Sequence, residues 1–141
     1  MNTLFTFYIF IIMLGITLIH IYWYKGGYWP GENKQDFIDK VIGREVSLPG
    51  KGMYTFVIIC FFIMAIFPIT VYYKINIGIN TYEKYFFLAF GVIFTLRALG
   101  MFIPVLAKRA TKIFLEYNKK YYAPLCITLA IAYFGLYYLN L

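Results

Sequence analysis

The stretch LFTFYIFIIMLGITLIHIYWY, Leu4 to Tyr24, decides the fold class. It carries no charged residue across 21 positions, and as a helix it rises roughly 31 Å, the thickness of a bilayer's hydrocarbon core. It is too long for the apolar region of a cleaved leader, no Lys or Arg precedes it, and no small-residue cleavage site follows. It is therefore expected to stay in place as a membrane span.

Three further runs share its character: residues 53–73, with Pro68 near the far end, 85–106, and 122–139, with Pro124 in the first turn. Proline at a first turn costs little, because its missing N–H lies among the unpaired donors there. Pro68 frees a carbonyl that a neighbour or water has to meet. Tyr and Trp gather at the ends of the runs, as in Tyr22-Trp23-Tyr24, Tyr72-Tyr73, Tyr121-Tyr122 and Tyr137-Tyr138, which is the pattern of an interfacial belt. The whole chain is 62% hydrophobic and 13% charged, with a mean hydropathy of +0.72, so lipid is its natural solvent. The expected architecture is all-α: one integral membrane domain over residues 1–141, a four-transmembrane-helix bundle.

The connections carry the charge. In the first, residues 25–52, Asn33 is placed to cap a short amphipathic helix reaching about Gly43, with Phe37, Ile38, Val41 and Ile42 on its apolar face. The third, residues 107–121, is basic and compatible with helix. These two connections hold five Lys or Arg each, against Lys74 and Lys84 on the opposite side. Ten against two places both large connections in the cytoplasm and both termini outside the cell membrane. The expected partners are the lipid bilayer and its anionic headgroups. Nucleic acid is not expected, since the net charge of +7 comes without a recognisable binding module.

Arg97 is the one charge inside a run, about nine residues before the end of the third. A central Arg costs roughly 2.5–3.5 kcal/mol on insertion scales and needs partners. All six acids, Glu32, Asp36, Asp39, Glu45, Glu83 and Glu116, lie in connections, so Arg97 either locks the bundle or faces a ligand. His20, near the end of the first run, is either a polar group in a cytoplasmic mouth or a member of the aromatic belt. Counting spans collects the candidate ligand-binding residues in the cytoplasmic half: His20, Trp23, Gly26, Gly27, Arg97, Gly100, Asn118, Pro124 and Cys126. Thr128, Ala132 and Gly135 form a small-residue stripe for helix packing. Cys60 and Cys126 stand alone in apolar stretches without metal-ligand spacing. No paired carboxylates, Ser–His–Asp set, phosphate loop or zinc motif is legible, so neither a cofactor nor a metal is expected and no catalytic residue is assigned.

Three segments, HIYWYKGG at 20–27, LRALG at 96–100 and YAPLC at 122–126, resemble in order and spacing the signatures of a bacterial membrane family catalogued as domain of unknown function 3995. The resemblance spans nearly the whole chain and implies a four-helix membrane protein of similar length, with no reaction attached. It also implies two departures: an acid commonly follows the glycine of the second signature, where Met101 stands, and another precedes the third, where Asn118 stands. A non-catalytic protein whose cytoplasmic half binds a small molecule, a lipid headgroup or a partner is the leading expectation. A membrane-embedded enzyme on a lipophilic substrate, with His20 as acid–base and Arg97 holding an anionic group, is the first alternative. A small transporter or channel subunit is the second, and it requires a homo-oligomer, because four short helices leave little room for a pathway.

Overall fold

A computed structural model describes residues 2–44, 48–76, 78 and 82–139. Glu45 and much of the second connection lie outside the described residues. The described chain is helical, with no strand among these residues. In order come α1 (Asn2–Tyr24), α2 (Lys34–Phe37), α3 (Lys51–Tyr72), α4 (Glu83–Gly100), α5 (Pro104–Ala107), α6 (Lys112–Tyr117) and α7 (Ala123–Leu139). A π-helical turn continues α2 over Ile38–Ile42, and a second one, Asn118–Tyr122, joins α6 to α7. Three helical stretches are long and apolar enough to cross a membrane: Asn2–Tyr24, Lys51–Tyr72 and the continuous Lys112–Leu139. The other long helix, α4, has 18 residues and carries Glu83, Lys84 and Arg97.

Helix α1 packs on α3 and α7, and α7 packs on α4. Phe67 of α3 closes the arrangement, its ring 5.3 Å from both Phe86 and Phe87 of α4 and 5.9 Å from Phe90. The buried residues of α1 are Thr6, Ile9, Met13 and Thr17, a spacing of three to four that lines one helix face. Leu4, Ile11 and Leu18 lie seven apart on the opposite face and remain 70%, 64% and 57% exposed. Exposed Phe56, Ile59, Phe62 and Ile63 repeat the arrangement on α3. A helix apolar on both faces, with only one of them covered by protein, suits a hydrocarbon surrounding.

Polar groups in this interior are paired. Thr17 Oγ1 donates to the Met13 carbonyl at 2.7 Å. Pro68 cannot donate to the carbonyl one turn back, which belongs to Met64, and the fully buried Tyr133 hydroxyl of α7 donates to it at 2.9 Å instead. The partner that the proline demands is thus a neighbouring helix.

The third run ends earlier than its apolar composition suggests. Instead of continuing to residue 106, α4 stops at Gly100. A residue before proline is pushed out of helical geometry, and Ile103, before Pro104, is extended at ψ 119°. The chain turns through Met101–Ile103 and restarts as α5 with Pro104 in its first turn. Arg97 therefore stands in the last turn of α4, where a cation faces the negative end of the helix dipole, and not nine residues inside a span.

Candidate functional site

The first and third connections meet at one end of the molecule. Asn33 caps α2 as its position suggests, its side-chain oxygen accepting from the backbone N–H groups of Gln35 and Asp36, both at 3.0 Å. The following π turn ends at Gly43, which has φ +75°, a conformation that disfavours any side chain. A Cβ there would also collide with the ring of Phe114, which lies against it.

Carbonyls left without partners at this turn are met by the third connection. The Thr111 N–H donates to Gly43 O at 2.9 Å, and its hydroxyl donates to Asp39 O at 2.6 Å. The same hydroxyl oxygen accepts from Phe114 N–H and so caps α6. Tyr122 donates to Lys40 O at 3.1 Å. Lys40 itself pairs with Asp36 at 2.7 Å, and its ammonium lies 5.8 Å from the centre of the Tyr117 ring. The hydrogen bond from Lys40 holds the Asp36 carboxyl below the usual carboxylate range, and the same bond holds the ammonium above the usual lysine range.

Beside this junction lies a cavity of about 160 Å³. The residues that line it include the aromatic Trp23, Tyr24, Tyr28, Phe37 and Tyr54 and the cationic Lys51. The turn that ends α1 forms another part of it: Gly26 has φ +96°, and Gly27 N–H donates to Tyr22 O at 3.1 Å. Gly27 is so close to the Tyr22 ring that a side chain would run into it. Trp23 is held by its indole N–H, which donates to Trp29 O at 2.7 Å, and by the edge-on Phe37 ring at 5.2 Å. His20 stands behind Trp23. Its ring centre is 4.7 Å from Trp23 and 4.9 Å from Phe61, and Nδ1 donates to Ile16 O at 2.8 Å. The Nδ1-protonated tautomer follows, because a carbonyl can only accept.

A second group forms at the end of α4. Arg97 Nη1 donates to Asn118 Oδ1 at 3.0 Å, and its guanidinium carbon lies 5.9 Å from the Phe114 ring centre, within cation–π range. Asn118 is buried at 2% exposure, while Arg97 as a whole is exposed.

Of the sequence-chosen residues, Trp23, Gly26 and Gly27 line the cavity, and Arg97 and Asn118 are brought together as a pair. Gly100 closes α4 with the Leu106 side chain beside it, Pro124 is exposed on α7, and Cys126 is half-buried. The two groups are bridged by the first connection, from Phe37 beside Trp23 to Gly43 beside Phe114. Sequence reading passed over Thr111, although a threonine before a helical segment is a capping signal. It counted Lys51 only among the basic residues of the first connection, and passed over Tyr54 as an ordinary residue at the start of a span. No group of three or more His, Cys, Asp or Glu is placed to hold a metal among the described residues.

Residues 13–133, from the middle of α1 to the middle of α7, match the family model described as protein of unknown function (DUF3995). The chain belongs to that family. The match takes in both basic connections, the cavity and the Arg97–Asn118 pair of this DUF3995 protein. No curated protein and no solved structure matches it.

Proposed function

We propose that this DUF3995 protein is a four-crossing membrane protein that binds a small molecule in the aromatic cavity at its basic, cytoplasmic end. The fourth crossing in this reading is α4. Its 18 residues rise roughly 27 Å, and its charges sit in its first and last turns, where long side chains reach the headgroups. The contacts of Thr111 and Tyr122 with the first connection support one face for both basic connections, and the positive-inside bias makes that face cytoplasmic. Cysteines introduced at Lys25 and Lys108 are then protected from an impermeant thiol reagent in intact cells, and one at Lys74 is labelled.

The observation that carries the binding reading is the cavity itself: about 160 Å³ lined by five aromatic residues and one cationic one, Lys51. That volume is below the range of roughly 300–1,000 Å³ typical of drug-sized ligands. It suits a single flat or compact group carrying an acceptor for Lys51. His20 packs behind the wall, so the acid–base role in the enzyme alternative gains nothing from this geometry. Mass spectrometry of small molecules retained by the purified protein tests the reading. Tyr54→Ala and Lys51→Gln lose the retained species, whereas the lipid-facing control Ile59→Ala keeps it. An identical complement in all four proteins would overturn the cavity as a binding site.

A further inference from the structure

Arg97 is held in place and yet exposed. Asn118, itself buried, accepts one of its five N–H donors, and the Phe114 ring lies within cation–π distance. Among the described residues no carboxylate lies within ion-pair distance of it. The connection that leaves α4 three residues after Arg97 returns to it at Phe114 and Asn118. This loop carries Lys108, Arg109 and Lys112, and residues 98–115 contain no acid. The charge is not surrounded by a polar surface. Leu96, Leu99, Phe102 and Val105 are 66%, 53%, 58% and 70% exposed around it in sequence.

We propose that this surface is a binding site for an anionic phospholipid, with the phosphate on Arg97 and the acyl chains along the exposed apolar side chains of α4 and the turn after it. The proposal rests on the membrane-spanning reading and is independent of the aromatic cavity. A planar guanidinium matches phosphate oxygens two at a time, and a fixed one loses less freedom on binding than a mobile lysine. Asn118 is the positioning residue, since it sets the guanidinium in place from a buried site. The loop cations add attraction to a negatively charged lipid. A free anion would gain nothing from the apolar surround, and a neutral lipid would gain nothing from the four cations.

Native mass spectrometry of the full-length protein, released from vesicles of equal phosphatidylglycerol and phosphatidylcholine, reads the site directly. The wild type retains phosphatidylglycerol in preference. Arg97→Gln lowers that retention about tenfold, a charge-assisted hydrogen-bonded contact being at stake. Lys108→Gln combined with Arg109→Gln, at exposed positions, lowers it about 25-fold, at about fivefold per cation near a membrane surface. Asn118→Ala weakens retention and narrows the preference over phosphatidylcholine, whereas Arg44→Gln, outside this loop, changes neither. Inorganic phosphate does not displace the lipid. Displacement by phosphate would overturn the lipid assignment in favour of a bare anion site. Unchanged preference in the double loop variant, with normal folding, would overturn the site itself. If the wild type inserts into vesicles but shows no preference, the site fails while the membrane reading stands; if it does not insert, that reading fails first.

Discussion

The hydroxyl of Tyr133 on α7 donates to the carbonyl of Met64 on α3 across 2.9 Å of the interior. Met64 precedes Pro68 by four residues, so this carbonyl is the one the proline leaves without its helical donor. A break in the hydrogen bonding of one helix thus becomes a specific tie to another.

Removing the hydroxyl leaves that carbonyl buried and unpaired. Tyr133→Phe is expected to destabilise the protein by about 1–3 kcal/mol in reversible detergent unfolding. In a Pro68→Ala background, where the helix regains its own N–H, the same change costs less. Equal costs in both backgrounds would show that the carbonyl is not what the hydroxyl serves.

Thr111 joins the two basic connections through its N–H and hydroxyl and caps α6 with its side-chain oxygen. Thr111→Ala removes the side-chain contacts and should cost about 1–2 kcal/mol, the range of a helix cap together with a tertiary hydrogen bond. Local hydrogen exchange is the sharper measurement. Amides of residues 34–43 are expected to exchange faster in the variant, although they lie far from it in sequence, while those of α3 stay protected. Unchanged exchange in that segment would mean that the connections do not hold each other.

The Asp36–Lys40 pair makes the same segment sensitive to pH. The folded carboxyl titrates below its unfolded value, so its contribution is present above about pH 4 and is lost as pH falls through the folded value. The folded ammonium titrates above its unfolded value, so its contribution is full below about pH 10 and is lost as pH rises through the folded value. Limited proteolysis of the first connection, read as wild type against Lys40→Met, should show a constant difference at neutral pH that shrinks at both extremes. The effect is small, because both groups meet solvent and an exposed pair contributes little. A difference that does not vary with pH would exclude the pair as its source.

The apolar runs were legible because a span needs about twenty uncharged residues and little else, and α1 and α3 follow them to within two residues at each end. The end of α4 was less so, since residues 98–106 are as apolar as any span and only Pro104 marks the turn. Misplacing that end also misplaced Arg97 by two turns of helix. Asn118 was singled out by its position before Tyr122-Ala-Pro-Leu-Cys126, but its role as the acceptor for Arg97 depends on α6 and α7 forming one continuous helix beside α4. The cavity combines residues from α1, the first connection and the start of α3. Trp23, Gly26 and Gly27 belong to one local motif and could be read together. Phe37 and Tyr54 join them only through packing, which no spacing rule in the sequence encodes.

The hydrogen bond from the Trp23 indole to the Trp29 carbonyl has a practical side. The chain contains two tryptophans, and both sit at this one corner, one in the cavity wall and the other supplying the carbonyl that holds it. The other thirty aromatic residues, phenylalanine and tyrosine, occur both at this corner and through the rest of the molecule, but none of them is an indole. Selectively excited indole emission from the unmodified protein is therefore a built-in optical probe of that corner, able to follow solvent entry or ligand arrival there without an attached dye.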